Sequence, residues 1–92
     1  NNYLGNVRQW QQMFFRHRYS FTPMMNPDYE LIAQAYRIPV RTVTDRKDLD
    51  SAIDEMLATP GAFLLQAAVL EEDNVMPMCA PGHDVDDMIL SI

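Results

Sequence analysis

The sequence has one cysteine, three glycines, one tryptophan and no long apolar run. Its single cysteine, Cys79, excludes an internal disulfide and is typical of a reducing compartment, so we expect a cytoplasmic protein. No stretch approaches the roughly 18 to 20 consecutive apolar residues that a membrane span requires, and no signal-peptide pattern is visible. We therefore expect no membrane partner.

Basic residues are also scarce, which disfavours a nucleic-acid partner. Thirteen Asp and Glu against seven Lys and Arg give a net charge of −6, which opposes the general attraction to phosphates. The one local basic group, Arg8, Arg16 and Arg18, is more typical of a solvated helix face than of a phosphate site. With 92 residues the chain forms one small domain at most, so a large active site of its own is not expected.

Apolar spacing predicts three helices. The first follows Gly5, and its apolar residues recur at spacings of three and four: Val7, Trp10, Met13 and Phe14. The second should begin with Asn26 as N-cap and Pro27 at the first helical position, followed by Asp28 in the first turn, and should end before Pro39. Its predicted buried stripe comprises Leu31, Ile32, Ala35 and Tyr36. The third should be capped by Thr44, with a stripe at Leu49, Ala52, Ile53, Met56 and Leu57.

Two strands are predicted between and after these helices. Residues 40–43 are short and β-branched, and residues 62–70 are apolar enough for a strand buried on both faces of a parallel sheet. The order helix, helix, strand, helix, strand predicts an α/β fold in which a partial parallel sheet is covered by helices. Such a sheet needs neighbouring strands from elsewhere, so we expect the chain to be a piece of a longer protein. Residues 71–92 should form a closing loop, with a short helix over 84–90.

Two local clusters carry possible chemistry with plainer alternatives. Cys79 precedes His83 by four residues, but the intervening Pro and Gly do not hold them on one helix face, so an inert thiol is expected. The acidic runs at 71–73 and 83–87 match no EF-hand spacing and are expected to be a solvated tail.

The opening residues NNYLG combine two amides and a glycine directly ahead of a predicted helix. Asn oxygens are suitable ligands for Mg²⁺, and a helix N-terminus is suited to an anion such as diphosphate. A simple N-cap and turn would use the same residues, so on composition alone both interpretations stay open.

The run NNYLGNVRQWQQMFF, followed by RYSFT, NPDY, LIAQAY, PGAFLL and NVMPM, resembles the C-terminal end of the acetolactate synthase (acetohydroxyacid synthase) catalytic large subunit. The resemblance covers essentially all 92 residues in the same order, and RQWQ is its most specific part. It implies the C-terminal part of a three-layer αβα thiamine diphosphate-binding domain. Residues 1–25 would then supply the cofactor turn, channel helix and mobile segment, residues 26–70 the helix-strand-helix-strand unit, and residues 71–92 a tail covering the active site.

The resemblance also implies the roles of the opening residues. Asn1 matches the second Asn of a family NN pair, so that its side-chain oxygen and the carbonyl of Tyr3 would bind Mg²⁺; the GDG part of that metal motif is absent. In the alternative alignment Asn1 and Asn2 are themselves the pair, with one residue deleted. The implied cofactor-binding residues are Asn1, Asn2, Tyr3, Leu4, Gly5 and Asn6. The implied substrate-channel residues are Asn6, Val7 and Trp10, although Asn6 stands where most members have Met and Gln66 where many have Glu.

The activity implied is decarboxylation of pyruvate and condensation with a second pyruvate or 2-ketobutyrate, in branched-chain amino acid biosynthesis. The implied cofactors are thiamine diphosphate and Mg²⁺, with FAD bound by other domains. The implied partners are the rest of the catalytic subunit, a homodimer or tetramer, and a regulatory small subunit. No catalytic residue is assigned to this stretch, which we expect to be inactive alone. The alternatives are another thiamine diphosphate-dependent decarboxylase or carboligase, and a non-catalytic α/β interaction module.

Overall fold

A computed structural model describes all 92 residues. They form two compact units. The first unit is Asn1 with Met25–Val69, and the second is Asn2–Met24 with Leu70–Ile92. In chain order the elements are α1 (Gly5–Phe14), α2 (Tyr29–Ala35), β1 (Val40–Val43), a 3₁₀ turn (Arg46–Asp48), α3 (Leu49–Ala58), β2 (Leu64–Ala67), β3 (Met78–Cys79) and β4 (Met88–Ile89). None of the helices has both the length and the apolar character needed to cross a membrane.

The first unit is built on a parallel pair of strands. β1 and β2 align with Val40 opposite Leu64 and Val43 opposite Ala67. A parallel pair needs a crossover connection, and α3 supplies it. The predicted α/β class with a partial parallel sheet is confirmed, as is the strand at residues 40–43.

Two helix starts differ from the prediction because a nearby aspartate takes the capping role. Asp28 is the N-cap of α2, and its Oδ1 accepts a hydrogen bond from the amide of Leu31 at 3.0 Å. The prediction of Asn26 as cap was wrong by two residues. Asp45 caps the 3₁₀ turn before α3 by accepting from the amide of Lys47 at 3.1 Å, so the prediction of Thr44 was also wrong. Asp and the predicted residues offer similar capping oxygens, and only the backbone path selects between them.

The buried centre of the first unit is made of small side chains from three elements: Ala33 on α2, Val43 on β1 and Ala52 on α3. The predicted buried stripe on α2 was wrong, since Leu31 is 62% and Tyr36 76% exposed. Spacing specifies which side chains share a face, whereas burial depends on which neighbour is present.

The stripe on α3 is partly correct, because Ala52 is fully buried while Leu57 lies in solvent. Strand β2 is shorter than predicted and covers only Leu64–Ala67 of residues 62–70. Its residues are half-buried or exposed, so the prediction of a strand buried on both faces was wrong for this unit. The sheet has only two strands, and two strands cannot enclose an apolar run of that length.

The second unit combines α1 with a small hairpin in the tail. β3 and β4 pair antiparallel, with Met78 opposite Ile89 and Cys79 opposite Met88. The predicted helix over residues 84–90 was wrong, because the chain turns at Gly82, which has φ of +84°, and then enters β4. Two-residue strands carry too little sequence pattern to be recognised.

Polar side chains form the buried part of the second unit. Arg8 is 7%, Gln9 5% and Thr22 1% exposed, whereas the apolar residues Val7, Trp10 and Phe14 of α1 are exposed. The predicted position of α1 is therefore correct, but the face buried within this unit is its polar one. The expectation that Arg8 lies on a solvated helix face was wrong, because this face of α1 packs against other polar segments of the second unit.

Candidate functional site

The chain before α1 forms a turn that residues 22–24 hold in place. The amide of Met24 donates to the carbonyl of Asn2 at 2.7 Å, and the amide of Leu4 donates to the carbonyl of Thr22 at 2.9 Å. Between these bonds, Tyr3 and Pro23 form an antiparallel bridge. Asn2 has φ of 59°, a left-handed conformation that asparagine adopts more readily than most residues. The backbone of the opening turn is thus held by pairing with a segment about twenty residues further along the chain.

The N-terminus of α1 has features that suit an anion. Its N-cap residue, Leu4, makes no side-chain cap, and the first turn contains no acidic residue. The first amide groups of a helix have no partner within the helix, and they form the positive end of its dipole. A diphosphate at this position would meet backbone donors and no competing carboxylate from the first turn.

A groove of about 280 Å³ runs beside the first two turns of α1. Its lining residues are Asn6, Gln9, Trp10, Val75, Pro77, Met78 and Cys79. Trp10 is 46% exposed and presents its indole as one wall. Two of the three predicted channel residues, Asn6 and Trp10, line this groove, whereas Val7 is absent from its lining.

The part of the groove lining that comes from the tail is tied to α1 by Gln9. The side-chain Nε2 of Gln9 donates to the carbonyl of Val75 at 2.9 Å, and its Oε1 accepts from the amide of Val75 at 2.8 Å. The same Nε2 lies 3.4 Å from the sulfur of Met78. A side-chain amide therefore pairs with the tail backbone as a neighbouring strand would.

Two further glutamines of α1 hold adjacent chain segments. Gln11 donates to the carbonyl of Ser20 at 2.9 Å and accepts from its amide at 3.2 Å, and it also accepts from the hydroxyl of Thr22 at 3.1 Å. Gln12 accepts a single bond from the side chain of Asn74 at 3.1 Å. The polar face of α1 thus fixes both the segment after the helix and the start of the tail.

Arg8 joins three parts of the second unit. Its Nη2 forms an ion pair with Glu72, and its guanidinium carbon lies 4.8 Å from the ring centre of Tyr3 and 4.4 Å from that of Tyr19. The hydrogen bond to Glu72 raises the pKa of Arg8 above its ordinary value, so the side chain stays charged. Its Nε is buried without a hydrogen-bond partner. Cation–π contact and the ion pair together hold this charge in a largely buried place.

The residues predicted to bind the cofactor and the metal are divided between the two units. Asn1 belongs to the first unit, while Asn2, Tyr3, Leu4, Gly5 and Asn6 belong to the second, so their joint metal and cofactor roles stay predictions. No group of three or more His, Cys, Asp and Glu side chains lies together in residues 1–92.

The thiol of Cys79 makes its hydrogen bonds with backbone carbonyls and none with an imidazole ring. Its Sγ lies 3.2 Å from the carbonyl of His83 and 3.4 Å from that of Asp84. The ring of His83 is directed to Asp87, with Nδ1 2.5 Å from Oδ2. This arrangement supplies no base for a thiolate nucleophile.

Sequence reasoning missed the roles of Arg8, Gln9, Gln11 and Gln12. RQWQ was noted only as the most specific part of the resemblance, and nothing in the sequence indicated what these side chains contact. The tail partners of Arg8 and Gln9 lie 64 to 69 residues away in the chain, and no periodicity connects them.

Comparison with known proteins gives matches across nearly the whole chain. The chain is 40% identical over 90 residues to the acetolactate synthase isozyme 2 large subunit of Escherichia coli, covering 97% of this chain and 16% of that protein. It is 40% identical over 91 residues to the acetolactate synthase large subunit of Pyropia yezoensis, covering 97% of this chain and 15% of the relative. A yeast relative, the mitochondrial acetolactate synthase catalytic subunit of Saccharomyces cerevisiae, is 37% identical over 89 residues, which are 97% of this chain and 13% of the relative.

The chain therefore spans about 13 to 16% of the length of these relatives, and the resemblance seen in the sequence is confirmed. The profile described as thiamine pyrophosphate enzyme, C-terminal TPP binding domain, matches residues 1–67. This match includes the opening turn, α1 and both strands of the parallel sheet. The chain belongs to the family of C-terminal TPP-binding domains of thiamine pyrophosphate enzymes.

Proposed function

We propose that this chain is the C-terminal part of the cofactor-binding domain of an acetolactate synthase catalytic subunit. The parent enzyme would decarboxylate pyruvate and join the remaining two-carbon unit to a second pyruvate or to 2-ketobutyrate. The observation that carries the proposal is that α1 combines an N-terminus free of side-chain capping with a groove lined by Asn6 and Trp10. An anion site and an apolar groove thus share the first two turns of one helix.

The cofactor assigned to the opening turn is thiamine diphosphate with Mg²⁺. The residues proposed to hold it are Asn1, Asn2, Tyr3, Leu4, Gly5 and Asn6. The amides of the first turn of α1 suit the diphosphate, and the side-chain oxygen of Asn1 with the carbonyl of Tyr3 are donors of the kind that Mg²⁺ prefers. When bound, thiamine diphosphate supplies the electron sink for decarboxylation and carbon–carbon bond formation.

The groove is assigned to the second 2-keto acid. Trp10 offers a large rigid apolar wall, and Asn6 adds a polar group at the end nearer the opening turn. Val7 lies on the same helix, and we retain it as a channel residue of the parent enzyme, since it is half-exposed here. The role of these side chains is to select and orient the acceptor and to exclude water.

The remaining parts of the enzyme lie outside these residues. We propose that they include the rest of the catalytic subunit, a second copy in a homodimer or tetramer, a regulatory small subunit, and an FAD site in another domain. The 92 residues alone are then inactive. Their pathway would be branched-chain amino acid biosynthesis, and the cytoplasmic location stays an expectation from the single cysteine.

The test uses the full-length protein with pyruvate, thiamine diphosphate and Mg²⁺, with and without 2-ketobutyrate. We expect acetolactate from pyruvate alone and a mixed product when 2-ketobutyrate is added. Trp10→Leu should shift the ratio of the two products, whereas Phe14→Leu, on the same helix and outside the groove lining, should not. Aldehyde release without condensation would assign a different thiamine diphosphate enzyme, and failure to bind the cofactor would assign an interaction module.

A further inference from the structure

We propose that Gln9 is a positioning residue that fixes the tail wall of the groove and thereby sets which second 2-keto acid the groove accepts. This inference rests on the proposed function for its substrate class. Gln9 acts through Val75, and we assign it no contact with reacting atoms.

The geometry of Gln9 is that of a clamp on the backbone. Both polar atoms of its amide pair with Val75, at 2.9 Å and 2.8 Å, and the residue is only 5% exposed. A buried amide that loses such partners leaves donors and acceptors without compensation. The pairing therefore has one strongly preferred arrangement, and residue 75 has one preferred position relative to α1.

The clamp determines the separation of the groove walls. Asn6 and Trp10 form the helix side, while Val75, Pro77, Met78 and Cys79 form the tail side. The only paired hydrogen bonds between the described lining residues of the two walls are those of Gln9 with Val75. The contact of Gln9 Nε2 with the sulfur of Met78, at 3.4 Å, extends this hold to the next lining residues. Moving residue 75 would therefore change the width of the groove facing Trp10.

A neighbouring glutamine provides a matched control. Gln12 lies on the same helix and contacts residue 74, the residue next to Val75, but it only accepts one bond from the Asn74 side chain. It does not line the groove. Gln12→Met and Gln9→Met thus make the same chemical change three residues apart.

The first measurement is hydrogen exchange by mass spectrometry on the full-length protein, read at peptides covering residues 74–79. The amide of Val75 donates to Gln9, so Gln9→Met should raise its exchange by about fivefold or more, the change expected from loss of a typical hydrogen bond. Gln9→Glu retains an oxygen that can accept from the Val75 amide but places a second oxygen against the Val75 carbonyl, and this repulsion should act in the same direction. Gln12→Met should leave the Val75 amide protected. Peptides covering β1 and β2 report in the same run that the variants are folded.

The second measurement is competition between pyruvate and 2-ketobutyrate as acceptors. We expect both Gln9 variants to change the product ratio by about threefold or more, in line with the small energies that separate substrates differing by one methylene. A general loss of folded enzyme would lower both products equally and leave their ratio unchanged.

The outcomes separate this inference from the proposed function. Unchanged exchange at residues 74–79 in Gln9→Met overturns the clamp, whatever the activity. Raised exchange with an unchanged product ratio overturns the role in specificity, while acetolactate formation still supports the proposed function. If Gln9→Met raises the exchange but the unaltered enzyme makes no acetolactate, the clamp stands while the acceptor assignment and the proposed function are both rejected.

Discussion

The guanidinium group of Arg8 lies over the ring of Tyr19, 4.4 Å from its centre. Tyr3 contacts the same group from the opening turn, and Glu72 pairs with it from the tail. Three stretches that are distant in the sequence thus meet at one charged side chain. Since Arg8 is largely buried, its planar shape and its charge both contribute to holding them.

Replacing Arg8 tests this arrangement. Arg8→Lys keeps the charge but loses the planar group that stacks on the two rings, so we expect residues 19–22 and 72–75 to become more accessible. Limited proteolysis of the full-length protein, with cleavage sites mapped by mass spectrometry, should show faster cutting in both stretches. Arg16→Lys, at an exposed position, serves as the control. Equal cleavage in both variants would show that the stacking has no structural effect.

The cap of α2 gives a prediction for stability. Asp28→Ala removes the hydrogen bond to the amide of Leu31 and should lower the free energy of unfolding by about 1 kcal/mol. Asp28→Asn retains an accepting oxygen at the same place and should cost much less. Urea titration followed by circular dichroism measures both. The cap assignment fails if the two variants are equally stable.

Ala52 tests the packing of the first unit. Its side chain is fully buried, with no exposed surface, so Ala52→Leu has to displace its neighbours and should cost about 1 to 3 kcal/mol of stability. Ala58→Leu, on the same helix at an exposed position, should change the stability little. Thermal unfolding of the two variants provides the comparison. A tolerant Ala52 position would mean that α3 packs more loosely than described.

The assignment of Asn1 to Mg²⁺ can be separated from the alternative alignment. Asn1→Ala in the full-length enzyme should raise the Mg²⁺ concentration needed for half-maximal activity by about tenfold or more, since even outer-shell partners have effects of this size. Asn2→Gly keeps the left-handed backbone at φ of 59°, and because Asn2 is assigned no Mg²⁺ donor atom in this alignment it should change that concentration much less. An equal effect of both changes would favour Asn1 and Asn2 as the ligand pair.

Much of the element order could be predicted from the sequence. The helix after Gly5, the strand at Val40–Val43 and the parallel class followed from period, β-branching and connection length. The buried faces did not follow. Leu31 and Ala33 lie on one short helix, yet Ala33 is 1% and Leu31 62% exposed, so the size of the apolar side chain did not indicate which face is buried.

The candidate site was predictable only in part. The channel role of Trp10 came from the family resemblance and not from the spacing of apolar residues, and the two amides before the first helix were equally compatible with a simple N-cap and turn. Nothing in the sequence indicated the pairing of Gln9 with Val75. A side chain that bonds to backbone atoms can do so whatever the partner residue is.

Because Gln9 bonds only to backbone atoms of Val75, the side chain of this lining residue can change without loss of these bonds. Gln9 bonds only to the main chain of Val75, a residue that is 65% exposed. Substitutions at this position can therefore reshape the groove while its attachment to the helix persists. The attachment of the tail to α1 and the side chains that line the groove can thus be changed separately. Directed evolution could begin by randomising residue 75 with Gln9 held constant.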